Sequence, residues 1–349
     1  MKGRQIILGR VGPREAAALM VDGRIEDILI DPVGATPLAP GAICRGVTDR
    51  LMKGQGGVFL RLPDGQRGFL RVRSGLREGQ PLLVQVSGVA EPGKAIPLTT
   101  RLLLRGRYVL VTPQAPGVNV SRRIRDHEAS QRLSLLGRHA LAGRDFGLIM
   151  RSAAEQALDD DILAELSTLL GLADGLTADV QGTPELLLAA PTPWDIAWTE
   201  WADPAPDAVE QGENSFEEFG ILDALDQLAC PRLALPASGS AMIEPCHALT
   251  AIDVNTGGDT SPAAALKANI ALARDLPRQL RLRGLGGQIV VDFAPVSKRD
   301  RATLDQVLRS AFRQEAAETT LIGWTAMGLY EISRKRDRAP LAALLAEAT

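Results

Sequence analysis

Two short apolar runs, each carrying one aspartate, constrain the fold of this chain more than any other feature. The first run covers residues 249–255 and contains Asp253, and the second covers residues 286–293 and contains Asp292. Runs of this length, rich in Ile and Val and bounded by Gly or Thr, predict buried strands. The segment between them is rich in Ala and Arg and predicts a helix. A crossover helix of this kind places its two strands side by side.

The two aspartates indicate a cation site. A carboxylate inside an apolar strand is costly unless it is paired, hydrogen-bonded or bound to a cation. Asp253 and Asp292 on adjacent strands would suit Mg²⁺, which takes a few carboxylate oxygens, keeps several waters and accepts phosphate oxygens. Asn255, two residues after Asp253, projects from the same face and is placed to orient a ligand or a water. The alternative is that each aspartate is a helix cap or a solvated residue, and the residues alone leave both interpretations open.

The bulk composition favours a protein of the reducing cytoplasm. The chain has 349 residues, 45% hydrophobic and 23% charged, enough for two or three domains with a sizeable core. No apolar run has the length of a membrane span, and the N-terminus has no signal-peptide core, so we expect no membrane partner. The three cysteines form no C-x-x-C pair, which argues against a structural zinc site; they are Cys44, Cys230 and Cys246.

The net charge of −3 hides a strong segregation of charge along the chain. Residues 101–151 hold ten arginines against three acids, and residues 274–313 hold nine bases against four acids. Residues 152–229 hold eighteen acids and neither Lys nor Arg. The basic tracts predict phosphate binding, and the alternative is a solvated face that balances an acidic neighbour.

Residues 41–100 alternate short strands with turns and predict a small barrel. Phe59 and Phe69 flank the Asp64-Gly65 turn, with basic residues close by. Aromatic side chains on the face of such a barrel can stack unpaired bases, contributing roughly 1–3 kcal/mol per base. The alternative is that both phenylalanines belong to the core, which is the commoner place for a strand Phe.

The acidic block predicts two helices and a loop between them. The first helix lies within residues 155–174, and its apolar face consists of Leu158, Ile162, Leu166, Leu169 and Leu170. Residues 190–215 carry several prolines and three tryptophans and predict an irregular surface segment, with packing beneath a loop as the expected place of the tryptophans. The second helix covers residues 215–229, with Ser215 as its cap.

Three segments resemble the catalytic region of the ribonuclease E/G family: AIDVNTGG, NIALARDLPRQLRLRGLGGQIVVDF and GLYEISRKR. The resemblance implies that Asp253 and Asp292 hold the Mg²⁺ that hydrolyses RNA, with Mn²⁺ as an alternative cation. It implies that Asn255 supports them. Arg281 and Arg283, in the QLRLR run, are expected to contact RNA.

The first half of the chain carries further likenesses to that family. The spacing VFLRLPDGQRGFL resembles its S1-type RNA-binding domain, in which Phe59, Phe69 and the downstream Lys94 are expected to contact RNA. The SRRI element resembles another RNA-binding segment and adds Arg122 and Arg123 to the expected contacts.

The LIMRSA run resembles the part of the family that grips a 5′-monophosphate. Arg151 and Ser152 would then bind the 5′-phosphate of RNA. The family usually has Thr at the second position, and Ser keeps its hydroxyl donor. Without the resemblance, Arg151 is equally well interpreted as an ordinary surface charge at the end of a strand.

The resemblance implies an α+β multidomain fold. Its parts are an RNase H-like scaffold, an inserted S1-type OB-fold barrel, a 5′-sensor region and a DNase I-like α/β catalytic region. The expected boundaries are 1–36 and 179–228 for the scaffold, 37–102 for the barrel, 103–178 for the 5′-sensor region and 229–349 for the catalytic region.

The expected function is a Mg²⁺-dependent, single-strand-selective RNA endonuclease for RNA processing or decay, leaving 5′-phosphate and 3′-hydroxyl ends. One alternative is a non-catalytic RNA-binding relative, and another is a metal-dependent phosphodiesterase acting on another substrate. Family enzymes continue into a C-x-x-C zinc link and a small C-terminal domain, whereas this chain ends at Thr349, soon after GLYEISRKRDRAPL. We therefore expect a short form without zinc, as a monomer or weak dimer.

Overall fold

The computed structural model describes residues 3–32, 38–52, 56–72, 75–91 and 93–346, except for the side chains of residues 51 and 52. Among the helices in these ranges, none combines the length and apolar character that crossing a bilayer requires. The chain forms two compact units. Unit 1 comprises Met1–Leu8, Arg14–Gly23 and Asp31–Gln211, and unit 2 comprises Gly9–Pro13, Arg24–Ile30 and Gly212–Thr349.

The expected division into five segments is finer than these two units and stays a prediction. Its first boundary, between residues 36 and 37, lies outside the described residues. The RNase H-like and DNase I-like assignments likewise stay predictions.

The strands, in chain order, are β1 (Arg4–Val11), β2 (Arg14–Val21), β3 (Arg24–Ile30), β4 (Ile43–Met52), β5 (Gly57–Arg61), β6 (Arg67–Arg71), β7 (Pro81–Val86), β8 (Ile96–Thr99), β9 (Leu104–Arg105), β10 (Val109–Thr112), β11 (Gly117–Val120), β12 (Gly147–Met150), β13 (Glu185–Leu188), β14 (Ala208–Gln211), β15 (Arg232–Ala234), β16 (Ser240–Pro245), β17 (Thr250–Asn255), β18 (Gly287–Asp292), β19 (Thr319–Trp324) and β20 (Tyr330–Arg334). The helices are α1 (His127–Leu141), α2 (Asp159–Ala178), α3 (Pro193–Glu200), α4 (Ser215–Glu218), α5 (Ile221–Ala229), α6 (Pro262–Leu282), α7 (Lys298–Ala311) and α8 (Leu341–Ala346).

Unit 1 contains the predicted barrel. Its strands follow the order β4-β5-β6-β8-β7, and an antiparallel pairing of β4 with β7 closes it. The turn between β5 and β6 uses Asp64 and Gly65, both with positive φ, which is the backbone conformation that Asp-Gly turns favour. Leu60, Val84 and Val58 fill the interior and are fully buried. The prediction of a small barrel is confirmed, and its five closed strands are consistent with an OB-fold.

A second sheet of unit 1 has the order β11-β12-β10-β9 and packs against α1 and α2. The helix predicted in the acidic block is α2, and its buried face contains Ile162, Leu166 and Leu170 as expected. The placement of Leu158 on that face was wrong. Leu158 precedes the first helical turn as the N-cap residue and is 71% exposed.

The prediction of an irregular segment over residues 190–215 was wrong. This stretch forms α3 and then β14, which pairs in parallel with β1 from Gln5↔Ala208 onwards. A capping box explains the start of α3, because the Thr192 and Asp195 side chains each accept a hydrogen bond from the other residue's backbone N–H. Pro193 at the first helical position supports the same start.

The single helix predicted over residues 215–229 was also wrong. It is two helices, α4 and α5, separated at Gly220, which has φ 67°. Asn214, not Ser215, occupies the N-cap position of α4. A left-handed residue ends a helix because its backbone points the next carbonyls out of the helical repeat, and Gly adopts that conformation without cost from a Cβ.

Unit 2 is built on a six-stranded sheet with the order β15-β16-β17-β18-β20-β19. The strands β17 and β18 are parallel, and α6 is the crossover helix between them, as predicted. α6 and α7 pack over the apolar face of the sheet and form its core with residues such as Ile252, Val291, Leu272 and Leu304. The other face of the two parallel strands is exposed in alternate positions.

Candidate functional site

Asp253 and Asp292 lie side by side in the sheet of unit 2. They are direct register partners on the parallel strands β17 and β18. Ile252, Val254 and Val291, their neighbours along the strands, are buried beneath the sheet, whereas both aspartates are exposed on the open face. The alternation of the strand therefore places two carboxylates next to each other in water, and the crossover helix makes the pairing parallel.

Asn255 holds one of these carboxylates. It lies on the same exposed face of β17, and its Nδ2 donates a hydrogen bond of 2.6 Å to Oδ2 of Asp253. A hydrogen bond to a charged acceptor is stronger than a neutral one and restricts its rotamer. Asn255 is therefore a positioning residue for the Asp253 carboxylate.

The donor set fits a hydrated Mg²⁺ better than a metal held entirely by protein. In the part of the chain that the structure describes, no cluster of three or more His, Cys, Asp or Glu side chains is arranged to hold a metal ion. Mg²⁺ commonly binds through one or two carboxylates and completes its shell with water and phosphate oxygens. Two adjacent, exposed carboxylates meet that requirement.

Phe59 and Phe69 form a pair on the barrel of unit 1. They are register partners on β5 and β6, with ring centroids 5.3 Å apart and partly exposed rings. The guanidinium of Arg67 lies 4.6 Å from the Phe59 ring centroid. Lys94 is exposed in the loop before β8, where its Nζ contacts the Glu91 carboxylate at 2.8 Å. A partly exposed aromatic pair beside cationic side chains is the usual arrangement of a base-stacking surface.

The residues predicted to bind a 5′-phosphate follow the strand β12. The strands β11 and β12 are parallel, and Val120 is the register partner of Met150. Parallel strands end on the same side of a sheet. The exposed Arg122 and Arg123, which follow β11, therefore lie at the same end of the sheet as Arg151 and Ser152, which follow β12. The topology thus brings these four predicted residues to the carboxyl ends of two adjacent strands.

Arg151 and Ser152 are already in contact with carboxylates of unit 1. The Arg151 guanidinium contacts the Glu200 carboxylate at 2.8 Å and donates to the carbonyls of Gly106 at 2.7 Å and Thr199 at 3.0 Å. The Ser152 hydroxyl donates to the Asp203 carboxylate at 2.6 Å. A phosphate that accepts the Ser152 hydroxyl hydrogen has to replace the Asp203 carboxylate, and beside Arg151 it meets the charge of Glu200.

Arg281 and Arg283 lie at the end of α6 and make contacts inside unit 2. Arg281 donates to the Glu26 carbonyl and contacts the Glu315 carboxylate. Arg283 is 7% exposed and donates to the Gln279 side chain and the Cys230 carbonyl. Their role in RNA binding stays a prediction, and an RNA phosphate would reach Arg283 only if these contacts opened.

Four residues near the predicted sites had no role in the sequence interpretation: Arg67, Glu200, Asp203 and Asn269. Asn269 is fully buried on α6 and hydrogen-bonds the backbone of Ala294, just beyond β18. The partners of Glu200 and Asp203 are 49 and 51 positions away. No local pattern in the sequence indicates pairs of such separation.

Comparison with known proteins places this chain in a family. The model of the Ribonuclease E/G family matches residues 103–207 and 197–337, which include both aspartates. Ribonuclease E of Nostoc sp. is 29% identical, with 96% of this chain and 56% of that protein covered. Ribonuclease E of Escherichia coli is 29% identical, with 76% and 28% covered. Ribonuclease G of Salmonella typhimurium is 25% identical, with 95% and 80% covered.

The chain spans a little over half the length of the Nostoc and Synechocystis relatives, at 56% and 57%. The family match extends over most of the chain and includes the parallel strands that carry Asp253 and Asp292. This chain belongs to the ribonuclease E/G family.

Proposed function

We propose that the chain is a Mg²⁺-dependent endoribonuclease that cuts single-stranded RNA in RNA processing or decay in the cytoplasm, leaving 5′-phosphate and 3′-hydroxyl ends. The observation that carries the proposal is the direct pairing of Asp253 with Asp292 on an exposed sheet face. A protein that only binds RNA has no use for two adjacent carboxylates, because they repel the phosphate backbone unless a cation lies between them.

Asp253 and Asp292 would hold the cation, with Mn²⁺ as an alternative to Mg²⁺. The bound cation would supply Lewis-acid chemistry by offsetting the negative charge of the phosphodiester. Asn255 keeps Oδ2 of Asp253 in one orientation, so that less rotational freedom is lost when the site is occupied. The exposure of both carboxylates leaves room for a strand of RNA to approach.

The barrel would hold unpaired RNA. Phe59 and Phe69 offer ring faces to bases, a contact of roughly 1–3 kcal/mol per base, and single-stranded RNA is the form that exposes those faces. Lys94, Arg122 and Arg123 would contact phosphates from the exposed surface of unit 1. The proposal also includes contacts of Arg281 and Arg283 with RNA, and of Arg151 and Ser152 with its 5′-phosphate. These side chains already contact other groups of the protein, and the RNA would compete with those groups.

The test is cleavage of a 5′-labelled single-stranded RNA with Mg²⁺ by the wild type, Asp253→Asn and Asp292→Asn. Asp226→Asn is a matched control, because Asp226 is an exposed carboxylate of unit 2 on α5. We expect both site substitutions to abolish cutting while RNA binding persists, and the control to cut like the wild type.

Two outcomes would contradict the proposal. Tight RNA binding without cutting under any divalent cation would identify a non-catalytic RNA-binding relative. Cutting of DNA or small phosphodiesters in preference to RNA would identify a phosphodiesterase for another substrate. Mass analysis of the RNA products tests the expected end groups.

A further inference from the structure

Arg301 on α7 is held by an aromatic ring and not by a carboxylate. Its guanidinium carbon lies 4.6 Å from the centroid of the Trp324 ring. Its Nη2 lies against Gly328, in the turn between β19 and β20, where a Cβ would come within 3.1 Å of that nitrogen. Among the residues that the structure describes, none accepts a hydrogen bond from this guanidinium or forms an ion pair with it. Arg301 therefore has a defined position and unused donors.

Other arginines of unit 2 spend their donors within the protein. Arg281 and Arg334 both contact the Glu315 carboxylate. Arg338 contacts the Asp27 carboxylate. A carboxylate occupies the N–H groups of a guanidinium, whereas a ring attracts the cation through its face. The N–H groups lie in the plane of the guanidinium, so a contact through the face leaves them available for the paired donation that a phosphate accepts.

Arg301 lies at the end of the sheet that carries the aspartate pair. Trp324 ends β19 and is the register partner of Tyr330, which begins β20. Tyr330 is in turn the register partner of Val291, the residue before Asp292. Adjacent strands are about 4.8 Å apart, so the backbones of Trp324 and Val291 are separated by about 10 Å. The anchored guanidinium and the candidate metal ligands are therefore close enough to meet one strand of RNA.

Such a strand would cross the end of the sheet. The two aspartates lie on the open face, whereas Trp324 packs against the core on the face that α7 covers. In open α/β sheets, ligands bind outside the carboxyl ends of the strands. The parallel strands β17 and β18 both end here, and the helices that follow them begin here. RNA that passes this end can place one phosphate at the metal pair and another at Arg301.

The start of α7 carries more positive than negative charge. Lys298 and Arg299 are exposed in its first turn and Arg301 follows, against the single carboxylate of Asp300. Cationic side chains near the N-terminus of a helix oppose the helix dipole, and a bound anion offsets that repulsion. The local charge therefore favours an anionic partner beside the anchored guanidinium.

We propose that Arg301 is a substrate-binding residue that contacts a backbone phosphate of RNA other than the one at the metal pair, and that Trp324 is its positioning residue. The inference rests on the proposed action on RNA. A guanidinium that is already fixed loses little side-chain freedom on binding, so its contact is stronger than that of a mobile surface arginine. Because Arg301 stands at a fixed distance from the metal pair, its contact also helps to select the phosphate that lies there.

The test is equilibrium binding of a short single-stranded RNA, without divalent cation, at several salt concentrations. The proteins are the wild type, Arg301→Gln, Arg301→Lys and a control, Arg313→Gln, at an exposed arginine beyond the other end of α7. We expect Arg301→Gln to bind about tenfold more weakly, as loss of a hydrogen bond between charged groups predicts. The slope of log affinity against log salt should fall by about 0.7, the value for one phosphate contact on a single strand. Arg301→Lys keeps the charge and should keep the slope, and the control should match the wild type.

Trp324→Leu tests the positioning role, because Leu keeps an apolar side chain against the core and has no ring face. It should weaken RNA binding in the wild-type background. In the Arg301→Gln background it should cause no further loss, because no guanidinium remains to be positioned. In cleavage with Mg²⁺, Arg301→Gln should raise KM and leave kcat within about twofold, since a phosphate away from the cleaved bond keeps its contact throughout the reaction.

Three results would overturn the proposal: an unchanged affinity and slope for Arg301→Gln, loss of the slope in Arg301→Lys as well, or an equal effect of Trp324→Leu in both backgrounds. Failure of the proposed nuclease activity would appear separately, as the absence of cutting by the wild type, and would leave the binding data readable. Absence of RNA binding in every protein, with folding verified by circular dichroism, would overturn both proposals.

Discussion

Asn269 and Ala294 hydrogen-bond each other in both directions. The Asn269 Nδ2 donates to the Ala294 carbonyl at 2.8 Å, and its Oδ1 accepts from the Ala294 N–H at 3.0 Å. Asn269 is fully buried on α6, and Ala294 lies two residues after Asp292. The crossover helix thereby fixes the path of the chain immediately beyond one of the two candidate metal ligands.

Asn269→Ala is expected to destabilise the protein and to slow RNA cleavage. The substitution leaves a buried N–H and a buried carbonyl without their partner, at about 1–3 kcal/mol for each group. The measurements are urea unfolding and single-turnover cleavage. Lys267→Ala, at an exposed position of the same helix, is the control and should change neither. Coinciding unfolding midpoints for the wild type and Asn269→Ala would show that the hydrogen bonds between Asn269 and Ala294 do not stabilise the protein.

Asn255→Ala is expected to weaken the affinity for Mg²⁺, so that cleavage requires a higher Mg²⁺ concentration, without unfolding the protein. The Asp253 carboxylate loses the donor that orients it, and loss of such a supporting hydrogen bond typically lowers metal affinity or activity by about 10–100-fold. The measurement is the cleavage rate as a function of Mg²⁺ concentration. Gln288→Ala removes an exposed amide from the neighbouring strand and should leave the Mg²⁺ curve unchanged. An identical curve for Asn255→Ala would show that Asn255 does not position the site.

Phe59→Ala and Phe69→Ala are expected to weaken RNA binding by roughly 1–3 kcal/mol each if both rings stack on bases. Arg67→Ala should also weaken binding, and it should lower the slope of log affinity against log salt by about 0.7, the value for one phosphate contact on a single strand. The phenylalanine substitutions should leave that slope unchanged. Filter binding at several salt concentrations separates the two effects. Loss of barrel stability with unchanged RNA affinity would assign both rings to packing.

The three cysteines are expected to differ in reactivity. Cys44 is fully buried in the barrel, whereas Cys230 and Cys246 are exposed. Burial raises the pKa of the Cys44 thiol from 9.0 to about 11, because the thiolate is poorly solvated there. At pH 8 a thiol reagent should modify two cysteines rapidly and the third only on unfolding. Rapid modification of all three in the folded protein would contradict this burial.

The same shift predicts a loss of stability in alkali. The pKa of the Cys44 thiol is higher in the folded than in the unfolded protein. Its contribution to the free energy of unfolding is therefore fully present below pH 9 and is lost as the pH rises toward 11. Cys44→Ser, which does not ionise in this range, should remove that part of the pH dependence. Urea unfolding of both proteins across this interval tests the sign.

The central βαβ unit of unit 2 was predictable because its evidence is local. The Ile- and Val-rich runs around Asp253 and Asp292 have strand length, and the segment between them has helical composition, so their juxtaposition follows from the crossover rule. The barrel was predictable from short strands and Asp-Gly turn chemistry in the same way. Each of these inferences uses residues within one or two elements of each other.

The helix α3 was missed although the sequence carried its start signal. Thr192 and Asp195 have the spacing of a capping box, and Pro193 stands at the first helical position. The four prolines of this stretch favour an irregular segment, because proline is rare inside helices and common in loops; they are Pro191, Pro193, Pro204 and Pro206. Gly220 similarly divides α4 from α5, because a left-handed residue ends the helical repeat there.

The partners of the arginines were not predictable by local reasoning. Arg281 meets Glu26 and Glu315, which lie 255 and 34 positions away, and Arg151 meets Glu200. The composition of the basic tracts indicates phosphate binding, but it cannot distinguish a guanidinium facing solvent from one that neutralises a buried acid. That difference depends on tertiary packing, and it decides which arginines remain available to a substrate.

The register pairing of Asp253 with Asp292 makes the spacing of the two carboxylates independent of loop length. Their backbones are separated by the distance between adjacent strands, about 4.8 Å in any sheet. Changes in residues 256–261, or on the solvent-facing side of α6, would therefore leave the two carboxylates at the same separation. The spacing of the two carboxylates lasts as long as the sheet does, and heat or denaturant should abolish it only when the strands themselves separate.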